Sequence, residues 1–183
     1  MVNGDARIVL ASRSPTRIGI LRAHGVAFES IEADVDDAAA PPPGEPGEVS
    51  MALAVAKARG VQSAHAARCA GRFVVGADTI CRHGDRSVGK PESVAEAERM
   101  LATMMDGPHR VVTGVAILRD ERAESFVDEA IVRLEHPGED ELRRYLASGR
   151  WQGKAGAYDI TERRAAGWTV HCDGDPEIGR AHV

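Results

Sequence analysis

An α/β fold is predicted by three places where a short apolar run adjoins a helical pattern. Ile8-Val9-Leu10 is followed by Ser14-Pro15, a strong helix start. An alanine-rich stretch from Glu48 to about Arg68 leads into Phe73-Val74-Val75. A capping box, Ser93-Val-Ala-Glu96, opens a helix that leads into the apolar run from Arg110 to Arg119. Strand runs interleaved with helices of this kind fit a sheet covered by helices. At 183 residues the chain can bury one domain, or two lobes sharing a sheet.

The elements follow in order. Arg7 to Ala11 reads as the first strand. Ser14 caps a helix whose first residue, Pro15, is preorganised for that position; Ile18 and Leu21 supply its buried face and Gly25 ends it. Phe28 to Glu32 is a second short strand. Asp34 to Gly47 is acidic, proline-rich and irregular, a loop. The Glu48 helix ends near Gly71, and the strand Phe73 to Thr79 gives way to a turn at Arg82–Arg86 around Gly84. Behind Ser93, the residues Val94, Ala97, Leu101 and Met104 share one helical face. Arg110–Arg119 and Ala123–Glu135 form a hairpin across Asp120-Glu-Arg122. Asp140 to Ser148 is a short helix with Leu142, Tyr145 and Leu146 inward, and Trp168 to Cys172 is the last strand.

Composition narrows the function classes. A net charge of -5 opposes a general binder of nucleic-acid polymers but not a nucleotide enzyme, for which a few focused cations suffice. Cys69, Cys81 and Cys172 have no metal-ligand spacing and read as reduced thiols. There is no apolar run of the ~20 residues that span a membrane and no signal-peptide pattern at the start, so a cytoplasmic location is expected. A P-loop, a paired-histidine zinc motif and a nucleophile elbow are all missing from the sequence.

The most informative residue is Asp78, in Phe73-Val-Val-Gly-Ala-Asp78-Thr79. Gly76 allows a close approach to the backbone, and a carboxylate then follows at the expected C-terminal end of a strand, where ligand clefts form in α/β proteins; the alternative is an Asp that caps a turn. Ser12 and Ser14 flank the start of the first helix and Arg17 lies on its first turn, a setting that suits a phosphate as well as it suits simple capping. Lys57 sits among small apolar residues on the long helix, either snorkelling or aimed at a polyphosphate. Lys90 is presented by Gly89-Lys90-Pro91, where the proline restricts the backbone. His109 reads as structural. Lys154-Ala-Gly-Ala-Tyr158 fits a loop closing over a base or a tight packing turn, and Asp36 and Asp37 fit solvated charge or a divalent cation. One carboxylate, one helix N-terminus and two or three separate cations are parts suited to hydrolysing a polyphosphate.

In order and spacing, Leu10-Ala-Ser-Arg-Ser-Pro-Thr-Arg17, Asp78, Gly89-Lys90-Pro91, His109-Arg-Val-Val-Thr-Gly114 and Lys154-Ala-Gly-Ala-Tyr158 resemble the Maf family of nucleoside triphosphate pyrophosphatases, from about Ile8 to Asp175. The resemblance implies a mixed, twisted sheet flanked by helices in two lobes around a cleft, similar to the inosine-triphosphate pyrophosphatase architecture. It implies hydrolysis of a nucleoside triphosphate, pyrimidine or non-canonical, to the monophosphate and pyrophosphate with a divalent cation (Mg²⁺, Mn²⁺ or Co²⁺), and it admits a homodimer. Asp78 stands where the family has its proton acceptor. Ser12, Ser14, Arg17, Lys57 and Lys90 match phosphate-holding positions. Thr79 matches the dTTP/UTP group.

The chain also departs from the family pattern. Thr16 replaces an arginine, Asp159-Ile160-Thr161 replaces Gly-Ile-Gln, and Asp37 replaces a glutamate. These departures keep a second reading in view, a nucleotide-binding or regulatory protein of the same fold with little turnover. The ending Glu177-Ile-Gly-Arg-Ala-His-Val183 stands where the family carries a Gly-Leu-Pro motif and a final helix. It is what the codons GAG ATC GGA AGA GCA CAC GTC specify, a string shared with a common sequencing-library adapter. The expectation is a single domain over 1–176 and a non-native tail over 177–183, with a genuine short tail as the alternative.

Overall fold

Seven strands form one mixed sheet flanked by helices in the computed structural model, which describes residues 7–34 and 44–175. Asp36, Asp37 and the tail at 177–183 lie outside the described residues. The order is β2 (Phe28–Ser30), β1 (Ile8–Leu10), β3 (Phe73–His83), β5 (His109–Arg119), β6 (Arg122–Leu134) and β7 (Val170–Asp173), with β4 (Arg86–Val88) pairing with β3. β1 runs parallel to β2 and β3, while β4 and β7 are antiparallel to their partners. The chain divides into two compact units, one of 1–79 and 113–128 and the other of 80–112 and 129–183, and β3, β5 and β6 each contribute to both.

In the first unit, α1 (Pro15–Ala23) follows β1, and α2 (Pro46–Ala64) packs on the sheet through Ser50, Ala54, Lys57, Ala58 and Val61, spaced as one face of a 3.6-residue helix. Its small residues matter. A Cβ on Gly76 of β3 would lie 2.2 Å from the Ala54 carbonyl oxygen, and one on Gly114 of β5 would lie 2.4 Å from the Met51 nitrogen. Two strand glycines thus let the helix backbone rest almost directly on the sheet, and Val9, Val74, Val61, Ala116 and Leu118 close the core around it. The single helix expected to reach Arg68 breaks at His65, whose ψ of 40° leaves the helical region, and resumes as α3 (Ala66–Cys69). Arg68 and Arg72 then both donate to Glu29 of β2, holding its carboxyl below the usual range, Arg72 first and Arg68 next.

The second unit packs α4 (Val94–Met105), α5 (Glu139–Ala147) and α6 (Ile160–Ala165) around Leu101, Met104, Leu134, Trp151, Tyr158 and Trp168. Ser93 caps α4 as expected, but Val94, the helix's first residue, is half exposed and leaves the inward face to Ala97, Leu101 and Met104. The turn expected at Arg82–Arg86 is narrower, at Gly84-Asp85, because β3 continues to His83 and β4 folds back on it. The helix α6 was not expected; Asp159 caps it by accepting the Glu162 N–H at 2.7 Å. All three cysteines are free, and burial raises each thiol's pKa, that of Cys81 to about 12, so they stay protonated and unreactive at neutral pH.

His109 is structural, as expected: it is buried, and its Nε2 shares a hydrogen bond of 2.5 Å with the Tyr158 hydroxyl. Desolvation lowers its pKa from 6.5 to about 4, against hydrogen bonding of the ring to the Gly107 backbone carbonyl, which raises it. The unfolded chain therefore takes up a proton near pH 6.5 that the folded chain refuses until about 4. This contribution is intact above pH 6.5 and lost as pH falls toward 4, by about 3 kcal/mol in total. Urea unfolding at pH 7 and pH 4.5 should show the drop, and His109→Gln should flatten it. An unchanged slope in that variant would assign the acid sensitivity to other groups.

Candidate active site

In the first unit the N-terminal end of α1, the strand β3 and the helix α2 bring six of the expected residues into one region. β1 ends at Leu10, which pairs with Val75, and the Ala11 N–H donates to the Val75 carbonyl at 2.8 Å. β3 therefore runs on past the end of β1. Asp78 is the sixth of its eleven residues and not its last, which corrects the expected strand end; the carboxylate lies beyond the end of the neighbouring strand instead.

Asp78 shares a strand face with Val74 and Gly76, the face on which α2 rests. Lys57 Nζ reaches Asp78 Oδ1 at 2.7 Å, with side-chain exposures of 5% and 13%. Lys57 is thus no snorkelling surface residue. Its ammonium is buried against the Asp78 carboxylate, an arrangement that fixes the carboxylate's direction.

Thr79 faces the other way and meets α1. Arg17 spans the helix start, donating through Nη1 to Ser12 Oγ and through Nη2 to Thr79 Oγ1, both at 3.4 Å. Ser12 Oγ also accepts the Ser14 N–H at 3.1 Å, and Ser14 Oγ caps the helix by accepting the Arg17 N–H at 3.3 Å. With two bonds accepted, the Ser12 hydroxyl keeps its own O–H as a donor for a further group. A nine-residue helix presents its positive end here, alongside a guanidinium and a hydroxyl donor, so the chemistry favours an anion.

Two contributors were not anticipated. Thr113 on β5 pairs its hydroxyl with that of Thr79 at 2.9 Å, and Ser30 on β2 donates to the Ser12 carbonyl at 2.6 Å. Thr113 carried a signal, a polar residue at an inward position of the strand preceding Gly114. Ser30 carried none. Lys90 belongs to the second unit, exposed just beyond β4, with Pro91 buried behind it. Thr161 is exposed on the first turn of α6.

Among the described residues no group of three or more His, Cys, Asp or Glu side chains is gathered to cage a metal. A single carboxylate beside donors for phosphate still fits magnesium, which binds nucleotides through one or two carboxylates while substrate phosphates and water complete its octahedron. Among the same residues no helix is long and apolar enough to cross a membrane.

A family model described as Maf-like protein matches residues 7–177. A dTTP/UTP pyrophosphatase of Geotalea uraniireducens (strain Rf4) is 40% identical over 163 residues, covering 87% of this chain and 81% of its own length. Another of that name, from a strain of Bacillus cereus, is 36% identical over 169 residues, covering 92% of this chain and 85% of its own. Among solved structures, the Ham1 protein of Staphylococcus aureus aligns with a TM-score of 0.45 and 16% identity, over 69% of this chain and 71% of that one. With the family model running from just before β1 to beyond β7, and with both sequence relatives spanning more than four-fifths of the chain, the chain belongs to the Maf-like protein family.

Proposed function

We propose that this chain is a nucleoside triphosphate pyrophosphatase acting on pyrimidine nucleotides, dTTP and UTP, and releasing the monophosphate and pyrophosphate. The observation that carries the reading is the Asp78 carboxylate, directed by a buried Lys57 and adjacent in sequence to Thr79, which Arg17 ties to the anion-binding start of α1. The base preference rests on the names of the sequence relatives and on Thr79.

In the reaction a water oxygen bonds to phosphorus at the anhydride between the α- and β-phosphates as the bridging P–O bond breaks. Asp78 accepts the proton that the water loses, and the bridging oxygen leaves with its electron pair on one product phosphate. Ser12, Ser14 and Arg17 hold the polyphosphate and stabilise the charge that builds on the leaving group, and Lys90 is proposed as a further phosphate-binding cation. Asp78 would also be the residue to hold a divalent cation, which when bound would supply further charge neutralisation.

Arg17→Ala and Lys90→Ala should each raise KM and also lower kcat, because charge on the departing group is greatest in the transition state. Pyrophosphate release from canonical and modified nucleoside triphosphates, with Mg²⁺, Mn²⁺ or Co²⁺, tests the whole reading. Turnover confined to purine nucleotides would reject the pyrimidine preference, and no turnover on any member would reject the enzyme. A variant matching wild type at every substrate concentration would return its residue to ordinary surface charge.

A further inference from the structure

We propose that Tyr145 is a positioning residue for Lys90, acting through the 3₁₀ turn Ala155–Ala157; the inference rests on reading Lys90 as a phosphate-binding cation. All the groups involved belong to the second unit. Lys90 follows Gly89, just past the end of β4, where no strand pairing guides the backbone. Pro91 restricts Lys90 from one side. From the other side, the Gly156 N–H donates to the Gly89 carbonyl at 3.0 Å, so the turn sets the aim of the peptide unit that leads into Lys90.

That turn does not hold itself. Gly156 has φ +67° and Ala157 φ +66°, two successive left-handed residues of which only the first is a glycine. A residue bearing a Cβ stays in that region only where its surroundings require it. Beside the turn's own hydrogen bond, from the Ala157 N–H to the Lys154 carbonyl at 3.0 Å, two contacts from outside do so here. The Tyr145 hydroxyl donates to the Ala157 carbonyl at 2.8 Å in a buried setting. Lys154 Nζ, itself buried, is anchored by Glu162 at 2.5 Å. Tyr145 is fixed in turn, with the Arg163 guanidinium 4.1 Å from its ring centre and Trp168 packed edge-on at 5.2 Å. A rigid aromatic on α5 thus reaches Lys90 through one hydroxyl, one strained turn and one backbone hydrogen bond.

Tyr145→Phe keeps the ring and its packing and removes only the hydroxyl. Released from it, the turn relaxes and the Gly89 peptide loses its fixed aim. Steady-state kinetics with dTTP and UTP, together with melting curves, should be compared for wild type, Tyr145→Phe, Lys90→Ala and the double variant. Tyr145→Phe should raise KM and lower kcat in the same sense as Lys90→Ala, with a combined loss in kcat/KM of about three- to tenfold, the worth of one neutral hydrogen bond. The double variant should match Lys90→Ala alone, since without the ammonium its aim is immaterial. If Lys90→Ala is impaired while Tyr145→Phe behaves as wild type, or while the two effects add, the positioning role is overturned. A Tyr145→Phe variant that loses kcat and melting temperature together without raising KM likewise makes Tyr145 a packing residue only. If Lys90→Ala itself matches wild type, the reading of Lys90 falls, and the role of Tyr145 with it.

Discussion

Asp78→Asn is expected to lower kcat by roughly 10²-fold or more while nucleotide binding survives. The amide has the size of the carboxylate, and its oxygen can still accept from Lys57 Nζ, now 2.7 Å from Oδ1. It cannot take a proton from water, and it is a poor ligand for a divalent cation. The substitution also leaves the buried Lys57 ammonium beside a dipole instead of a charge. Removing one partner of a buried pair outright costs about 3–5 kcal/mol, and the amide recovers part of that. The variant should therefore melt lower than wild type, so kcat is best measured well below its melting temperature. Calorimetry with a non-hydrolysable dTTP analogue completes the test: unchanged binding with lost turnover assigns Asp78 to the chemical step. A variant that keeps most of its kcat removes Asp78 from the mechanism.

What could be read ahead from the residues was local. Ser14 caps α1 and Ser93 caps α4 because a hydroxyl before a helical pattern has a backbone N–H within reach, whatever the rest of the chain does. Asp78 stood out because Gly76 two residues earlier implied a close neighbour, and that neighbour is α2. The pairing of Asp78 with Lys57 was not legible. Twenty-one residues separate them, and nothing in a helix of small residues says which strand it will cover. For the same reason Thr113 was missed as the partner of Thr79: its role depends on β5 lying next to β3 in the sheet. The extension of β3 through Asp78 to His83 was hidden because Ala77 to Arg82 mixes polar and apolar residues without a clean alternation, and β4 is only three residues long. The start of α6 did carry a local sign, Asp159 three residues before Glu162, but a helix of six residues gives too little periodicity to detect.

Gly76→Ala and Gly60→Ala, the same substitution on two surfaces of one packing unit, should shift stability in opposite directions. At Gly76 a Cβ would stand 2.2 Å from the Ala54 carbonyl oxygen, 2.9 Å from the Ala58 nitrogen and 3.0 Å from the Ala58 Cβ. Two of these atoms are backbone, which cannot rotate away as the end of a flexible side chain can, so α2 itself has to move off the sheet. Overpacking a tight core costs about 1–3 kcal/mol and occasionally more, and a clash with helix backbone belongs at the upper end. Lys57 lies on α2 between Ala54 and Ala58, so the same displacement carries its ammonium away from Asp78 and lowers kcat as well. Gly60 is on the exposed side of α2 with nothing within 4 Å of a built Cβ. There alanine relieves the entropic cost of a mid-helix glycine and should stabilise the chain by up to about 1 kcal/mol, leaving kcat unchanged. Thermal melts and pyrophosphate-release assays on the two variants decide the matter. A Gly76→Ala protein that melts and turns over like wild type would show that α2 does not rest on β3 at this distance, and the helix would then no longer explain how Lys57 comes to face Asp78.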